Sequence, residues 1–110
     1  MKLCIIGTGY VGLVSAACFA EMGNTVNCVD VNEQVINKLN SGIVHIYEPG
    51  LTTLVKRSKD DGRLNFTTDL KKAIAGVECV FICVGTPPMA DGSCDLSYVM
   101  EAAREIGQNM

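Results

Sequence analysis

The chain has 110 residues, of which 48% are hydrophobic and 19% charged, and its formal net charge is −3. That length allows one domain, and the charge offers no basic surface of the kind that binds nucleic acid. No apolar run approaches the ~18 residues of a membrane span, and glycines interrupt the amino-terminal segment where a secretory signal would lie. The composition therefore predicts a globular cytoplasmic protein without nucleic-acid or membrane partners.

The first predicted strand, Leu3-Cys4-Ile5-Ile6, runs directly into Gly7-Thr8-Gly9-Tyr10-Val11-Gly12. A buried strand, a tight glycine turn and a helix N-terminus in that order form a seat for a pyrophosphate, because the first free N–H groups of the helix point at the anion. The first glycine permits a sharp bend, the second lets phosphates approach the backbone, and the third lets helix and strand pack closely. The segment predicts a dinucleotide-binding turn.

A second strand, Thr25-Val26-Asn27-Cys28-Val29, ends in Asp30, 18 positions after Gly12. A carboxylate in that place accepts hydrogen bonds from the adenosine ribose hydroxyls and repels a 2′-phosphate, so the pattern favours NAD over NADP. Asp30 could instead cap the next helix, a role that Asn32 is equally able to fill. The helix between the two strands carries an apolar stripe of Val11, Val14, Cys18 and Met22, and alanines fill much of the rest, so it is expected to pack on more than one side.

After the second strand, Asn32 is predicted to cap a second helix. The loop over residues 42–50 then holds the only histidine of the sequence, His45, which is interpreted as an ordinary loop residue because no nucleophile or carboxylate partner is specified nearby. The same loop contains Tyr47-Glu48-Pro49-Gly50, and Pro49 fits the first turn of a third helix.

A third strand is predicted at Leu64-Asn65-Phe66-Thr67, and Thr68 or Asp69 then caps a short helix. The run over residues 77–84 is almost wholly apolar and rich in β-branched residues, which is typical of a strand buried on both faces of a parallel sheet. It leads into Gly85-Thr86-Pro87. Ligands of open α/β sheets bind beyond the carboxyl ends of the strands, so this turn is expected beside the glycine turn.

Together the elements predict an α/β fold with a Rossmann-like, doubly wound parallel sheet whose strands lie at roughly 2–6, 25–30, 64–67 and 78–84. A complete fold of this class needs two βαβαβ halves, so we expect a truncated version, the first half plus one or more further strands. A last helix, for which Asp95 is the predicted cap, carries an apolar stripe that is expected to remain incompletely covered in residues 1–110: Leu96, Val99, Ala103 and Ile106.

Six cysteines raise the question of disulfides or a metal. Five of them fall within predicted strands or helices, which favours buried free thiols: Cys4, Cys18, Cys28, Cys79 and Cys83. Cys94, in a loop, is the thiol expected to meet solvent. With one histidine and no C-x-x-C pair, the sequence predicts no metal site.

Four segments resemble motifs of the UDP-glucose/GDP-mannose dehydrogenase family, in the same order and across the whole chain. They are Gly7-Thr8-Gly9-Tyr10-Val11-Gly12-Leu13, Tyr47-Glu48-Pro49-Gly50-Leu51, Val84-Gly85-Thr86-Pro87 and Asp91-Gly92-Ser93-Cys94-Asp95-Leu96-Ser97-Tyr98-Val99. The chain looks most like the amino-terminal NAD-binding part of the bacterial UDP-glucose 6-dehydrogenases of that family.

The resemblance implies an NAD-dependent enzyme of polysaccharide biosynthesis, a homodimer at full length, that oxidises the 6-hydroxyl of UDP-glucose to the carboxylate in two steps. It implies that the catalytic groups come from beyond residue 110, so residues 1–110 are expected to be an incomplete NAD-binding domain without turnover. GDP-mannose oxidation and a non-catalytic dinucleotide-binding module are the alternatives. The implied cofactor-binding residues are Gly7, Thr8, Gly9, Tyr10, Val11, Gly12, Asp30, Val84, Gly85, Thr86 and Pro87.

Overall fold

The computed structural model of the protein describes residues 1–46, 48–84, 90–92 and 96–109. In chain order the elements are β1 (Lys2–Ile6), α1 (Tyr10–Glu21), β2 (Thr25–Val29), α2 (Glu33–Asn40), α3 (Leu51–Asp60), β3 (Leu64–Thr67), α4 (Leu70–Ile74), β4 (Cys79–Ile82) and α5 (Ser97–Asn109). The four strands form one parallel sheet in the order β3-β2-β1-β4. The predicted α/β fold is confirmed, and its strand order is the one that begins the doubly wound dinucleotide-binding fold.

The central strand β1 supplies both faces of the sheet. Leu3 and Ile5 belong to a core that includes residues of α1, α2 and α3, whereas Cys4 and Ile6 belong to a second core that includes residues of α4 and α5. Alternate side chains of a strand point to opposite faces, so an unbroken apolar strand needs a helical layer on each side. The central strand is therefore covered on both faces.

The buried face of α1 differs from the predicted stripe. Its buried residues are Gly12, Leu13, Ala16, Ala17 and Ala20, whereas Val11 is 64% and Met22 76% exposed, and Cys18 is also exposed. Of the predicted stripe only Val14 is partly buried against the core. Small side chains let the helix approach the sheet closely, and that contact outweighs the larger apolar surface on the other side.

Helix starts were predicted with mixed success. The Asn32 side chain accepts hydrogen bonds from the amides of Gln34 and Val35 and caps α2, and the Asp69 side chain accepts one from Lys72 and caps α4. The prediction that Pro49 lies in the first turn of the third helix is wrong. Gly50 has a left-handed φ of +81°, which glycine adopts readily but which is not a helical conformation. The helix α3 therefore begins only at Leu51.

Strand β4 is shorter and less buried than predicted. It spans Cys79–Ile82, pairs only with β1 among the described strands, and leaves Cys79 exposed and Phe81 partly exposed. An edge strand has a neighbour on one side only, which an apolar sequence by itself does not reveal. The Phe81 ring stacks on Phe19 with centroids 5.2 Å apart, which gives it partial cover.

The apolar stripe of the last helix is incompletely covered, as predicted. Ala102 is its buried residue among those described, whereas Val99 and Ile106 are half-buried and Leu96 and Ala103 are exposed. The predicted cap, Asp95, lies outside the described residues. No helix in the described part of the chain is long and apolar enough to cross a membrane.

Candidate cofactor site

A cavity of about 520 Å³ lies at the carboxyl edge of the sheet, where the loops after all four strands meet. Its lining includes Gly7 after β1, Asp30 after β2, Thr68 after β3 and Val84 after β4. In a parallel sheet the carboxyl ends of the strands share one edge, and this edge carries the ligand sites of open α/β folds. The cavity lies where the sequence predicted the site.

Gly7 makes the turn off β1, and the surrounding backbone requires glycine there. Its φ is +102°, and a Cβ atom added to it would fall 2.5 Å from the carbonyl oxygen of Cys83. The Gly7 amide donates to the carbonyl of Val29 at 2.7 Å, which ties the turn to β2. The first glycine is thus held by contacts with two neighbouring strand ends.

Gly12 and Gly9 are glycines for different reasons. A Cβ atom at Gly12 would overlap the carbonyl oxygen of Gly7 and lie 3.3 Å from the Cβ of Cys83, so Gly12 allows α1 to pack on the turn. A Cβ atom at Gly9 would meet no atom within 4 Å among the described residues beyond its chain neighbours, and its φ of −74° is open to any residue. The described packing does not require glycine at position 9, so the space beside it is free for a bound group.

The first turn of α1 suits an anion. Its N-cap, Gly9, has no side chain to bond the first amides, and the turn contains no acidic residue. Free N–H groups and the positive end of the helix dipole then face the cavity, where phosphate is stabilised. Tyr10 and Val11 border this end of the cavity with exposed side chains.

Asp30 holds the glycine turn from the end of β2. Its Oδ2 accepts hydrogen bonds from the Thr8 backbone amide at 2.9 Å and the Thr8 hydroxyl at 2.7 Å, and its Oδ1 accepts one from the Asn32 amide at 2.9 Å. Thr8 itself is only 1% exposed. Asn32 rather than Asp30 supplies the helix cap, so the alternative role weighed for Asp30 is excluded.

The electrostatics of this carboxylate favour its charged form. Partial burial by itself would raise the pKa of Asp30, but the hydrogen bonds from Thr8 and Asn32, together with the charge of His45, outweigh burial and lower it. Asp30 therefore presents a fixed negative charge at the cavity. His45 is exposed in its loop, as predicted, yet it acts on Asp30 electrostatically, which its sequence neighbours did not indicate.

The described part of the predicted site comes together. Gly7 to Val11, Asp30 and Val84 line the cavity, and Gly12 packs α1 on the turn beside it. The predicted site residues Gly85, Thr86 and Pro87 lie outside the described residues. Sequence reasoning missed nine further lining residues: Ile6, Val29, Val31, Thr68, Leu70, Cys83, Tyr98, Ala102 and Glu105.

Of these missed residues, Val31 had a signal in the sequence. It directly follows Asp30 and is 92% exposed, and an apolar residue at a strand end that faces a ligand edge is a candidate for contact with a base. Tyr98 and Glu105 are seven residues apart and share one face of α5. Their approach to the cavity depends on how α5 packs, which the sequence pattern does not specify.

The cysteines were predicted to be buried, and for two of them this is wrong. Cys4 and Cys28 are buried, but Cys18 and Cys79 are exposed. Cys94 lies outside the described residues. All five described cysteines are free, and the described residues contain no group of three or more metal-binding side chains.

Burial also lowers the reactivity of the thiols near the core. It raises the pKa of Cys4 to about 11, and it raises the pKa values of Cys28 and Cys83 as well. A thiol with a raised pKa is a poor nucleophile at neutral pH, because the thiolate is the reactive form. These three cysteines therefore suit packing better than covalent catalysis.

The fold and the cavity together define a Rossmann-type dinucleotide-binding protein. The model of the UDP-glucose/GDP-mannose dehydrogenase family, NAD binding domain, matches residues 1–110. The chain belongs to this family and is its NAD-binding domain, which confirms the predicted cofactor class.

Individual relatives agree with that assignment. The chain is 55% identical to the UDP-glucose 6-dehydrogenase of Rhizobium meliloti, with 100% of the chain and 25% of the relative aligned. It is 50% identical to the UDP-glucose 6-dehydrogenase of Pseudomonas aeruginosa, with 100% and 24% aligned. A crystal structure of a ternary complex of GDP-mannose dehydrogenase from P. aeruginosa superposes with a TM-score of 0.95 at 44% identity, over 99% of this chain and 25% of that one. The chain thus spans about a quarter of the length of these relatives.

Proposed function

We propose that the chain is the NAD-binding part of a UDP-glucose 6-dehydrogenase. The observation that carries the proposal is the open space at Gly9 beside the uncapped first turn of α1, with the Asp30 carboxylate at the next strand end. An anion seat and a ribose acceptor at this spacing suit the two halves of a dinucleotide.

In this proposal the glycine turn and the first amides of α1 hold the pyrophosphate. Asp30 accepts hydrogen bonds from the adenosine ribose, and Thr8 keeps that carboxylate oriented through its two hydrogen bonds. The negative charge of Asp30 disfavours a 2′-phosphate and so selects NAD. Val84, Gly85, Thr86 and Pro87 are proposed to bind the cofactor as well, with Thr86 near the nicotinamide end, as the family resemblance implies.

The proposed reaction converts the 6-hydroxymethyl group of the sugar to a carboxylate. Four electrons leave as two hydrides, one to each of two NAD molecules, and one water supplies the second carboxylate oxygen. We assign the nucleophilic thiol and the remaining catalytic groups to segments outside residues 1–110, as the family resemblance implies. Cys83, the described cysteine that lines the cavity, has a raised pKa and is therefore a poor nucleophile.

UDP-glucose is preferred over GDP-mannose as the substrate. The identity is 55% to the UDP-glucose 6-dehydrogenase of R. meliloti and 50% to that of P. aeruginosa, against 45% to the GDP-mannose 6-dehydrogenase of P. aeruginosa. The GDP-mannose alternative is kept because a GDP-mannose dehydrogenase superposes with a TM-score of 0.95. A non-catalytic dinucleotide-binding module is the weaker alternative, since the curated relatives are named as dehydrogenases.

The test is NADH formation by the full-length protein with UDP-glucose, GDP-mannose or no sugar nucleotide. We expect two NADH per UDP-glucose consumed. Turnover of GDP-mannose alone would identify the protein as a GDP-mannose 6-dehydrogenase. NAD binding without turnover of either sugar nucleotide would favour a non-catalytic dinucleotide-binding module. We further propose a homodimer, checked by sedimentation velocity, and a cytoplasmic location, which suits the five free described thiols.

A further inference from the structure

Tyr10 and Glu48 are joined by a hydrogen bond between segments that lie far apart in the sequence. The Tyr10 hydroxyl donates to Glu48 Oε2 at 3.0 Å, across 38 positions of chain. Tyr10 is the first residue of α1 and borders the cofactor cavity, whereas Glu48 belongs to the loop between α2 and α3. The bond therefore connects that loop to the mouth of the cavity.

The backbone that carries Glu48 is firmly supported. Its carbonyl accepts a hydrogen bond from the Leu51 amide at 3.0 Å, which closes a turn into α3. Leu51 is buried in the core that α1 and α3 share, and Gly50 supplies the left-handed conformation that the turn needs. The Glu48 carboxylate thus extends from a turn that is fixed to the core.

Tyr10, in contrast, has little support of its own. Its side chain is exposed, and an exposed tyrosine samples several rotamers unless a contact selects one. The hydrogen bond to Glu48 is the described contact that selects one rotamer of Tyr10. The same hydrogen bond and the negative charge of Glu48 raise the pKa of the Tyr10 phenol. The ring is therefore held at the cavity mouth, beside the amides of the first turn of α1.

We propose that Glu48 is a positioning residue, which fixes the ring of Tyr10 as one wall of the pyrophosphate end of the NAD site. The inference rests on the proposed function and gives a role to the Tyr47-Glu48-Pro49-Gly50-Leu51 motif, which the dinucleotide fingerprint leaves unexplained. Pro49 and Gly50 shape the turn, Leu51 anchors it, and Glu48 makes the contact.

The chain offers a matched control at the other end of the same helix. Glu21, the last residue of α1, forms an ion pair with Arg57 of α3 at 2.6 Å. That pair also connects α1 to the α3 region through an exposed carboxylate, but it lies outside the cavity lining. Glu21→Ala should therefore leave NAD affinity unchanged.

The test is calorimetric titration of the full-length protein with NAD. We expect Tyr10→Phe and Glu48→Ala each to raise the Kd about three- to tenfold, the effect of losing one hydrogen bond of ordinary strength. The double variant should be no weaker than either single variant, because both remove the same bond. Glu48→Gln keeps an acceptor oxygen and should recover most of the affinity lost in Glu48→Ala.

A second readout is specific to the contact. In ¹³C-tyrosine spectra, the signal lost in Tyr10→Phe should titrate at lower pH in Glu48→Gln than in the wild type, because the charge that raises its pKa is gone. The inference would be overturned if the two losses of NAD affinity multiplied in the double variant. It would also be overturned if Tyr10→Phe left the Kd for NAD unchanged. Failure of the wild type to bind NAD would instead contradict the proposed function.

Discussion

A single oxygen of Asp30 accepts hydrogen bonds from both the amide and the hydroxyl of Thr8, at 2.9 and 2.7 Å. The carboxylate at the end of β2 therefore holds the shape of the glycine turn in addition to any contact with the cofactor. Because Thr8 is buried, the two functions of Asp30 are linked. A change at Asp30 acts on the fold and on the ligand together.

Replacement of Asp30 by alanine is expected to lower both the stability of the fold and the affinity for NAD. The buried Thr8 donors lose their acceptor, so the free energy of unfolding should fall by about 1–3 kcal/mol. NAD should bind more weakly, and discrimination against NADP should fall by roughly 1–3 kcal/mol. Urea unfolding measures the loss of stability, and calorimetry measures the loss of NAD affinity. Glu33→Ala, which removes an exposed carboxylate, is the control for the change in net charge. Equal affinity of the wild type for NAD and NADP would contradict the ribose role.

The same contacts make stability depend on pH. The pKa of Asp30 is lower in the folded state than its ordinary value of 3.8. A depressed pKa means that the stabilisation is fully present above about pH 4 and is lost as the pH falls through the folded-state value. The difference in unfolding free energy between the wild type and Asp30→Asn should therefore narrow below about pH 4. A difference that is constant from pH 7 to pH 2 would show that the charge of Asp30 is not stabilising.

Alanine substitutions at Gly9 and Gly12 should have different effects, the first on NAD affinity and the second on stability. The added methyl group of Gly9→Ala meets no atom of the described residues within 4 Å, so the protein should fold with a stability within about 1 kcal/mol of the wild type while NAD binding weakens at least tenfold. Gly12→Ala would collide with the backbone of Gly7 and should lower stability by more than about 3 kcal/mol. Thermal unfolding and NAD titration of both variants separate the two effects. Normal NAD affinity in Gly9→Ala would show that the phosphates lie elsewhere.

Local chemistry accounts for the parts of the fold that the sequence predicted well. The glycine turn, the Asn32 cap and Asp69 cap each depend on residues within a few positions of one another, so short-range rules are sufficient. The place of Asp30 in the site could be predicted because parallel strands bring their carboxyl ends to one edge of the sheet. That relation follows from the connectivity alone.

Tertiary packing accounts for the predictions that failed. On α1, Val11 and Met22 are more apolar than alanine, yet Gly12 and the alanines face the sheet because only small residues allow so close an approach. The burial of β4 depends on how many strands flank it, which its own sequence does not state. Val31 and Tyr98 reach the cavity through the packing of the elements around them.

The exposed side of β4 leads to a prediction for residues 1–110 expressed alone. Among the described strands β4 pairs only with β1, and Cys79 and Phe81 on it remain accessible to solvent. An unpaired apolar edge is a template for pairing with another chain, so the isolated chain should associate as its concentration rises. Cys79→Lys places a charge on this edge and should reduce association. Sedimentation velocity under reducing conditions follows both proteins.

The matched control for that experiment is Cys18→Lys, which replaces another exposed thiol with the same charge but lies on α1. If the edge drives association, Cys79→Lys should restore a monomer at concentrations where Cys18→Lys still associates. Equal behaviour of the two variants would attribute the effect to net charge, because both change it by the same amount. A wild-type chain that stays monomeric at every concentration would show that the β4 edge is protected without a further strand.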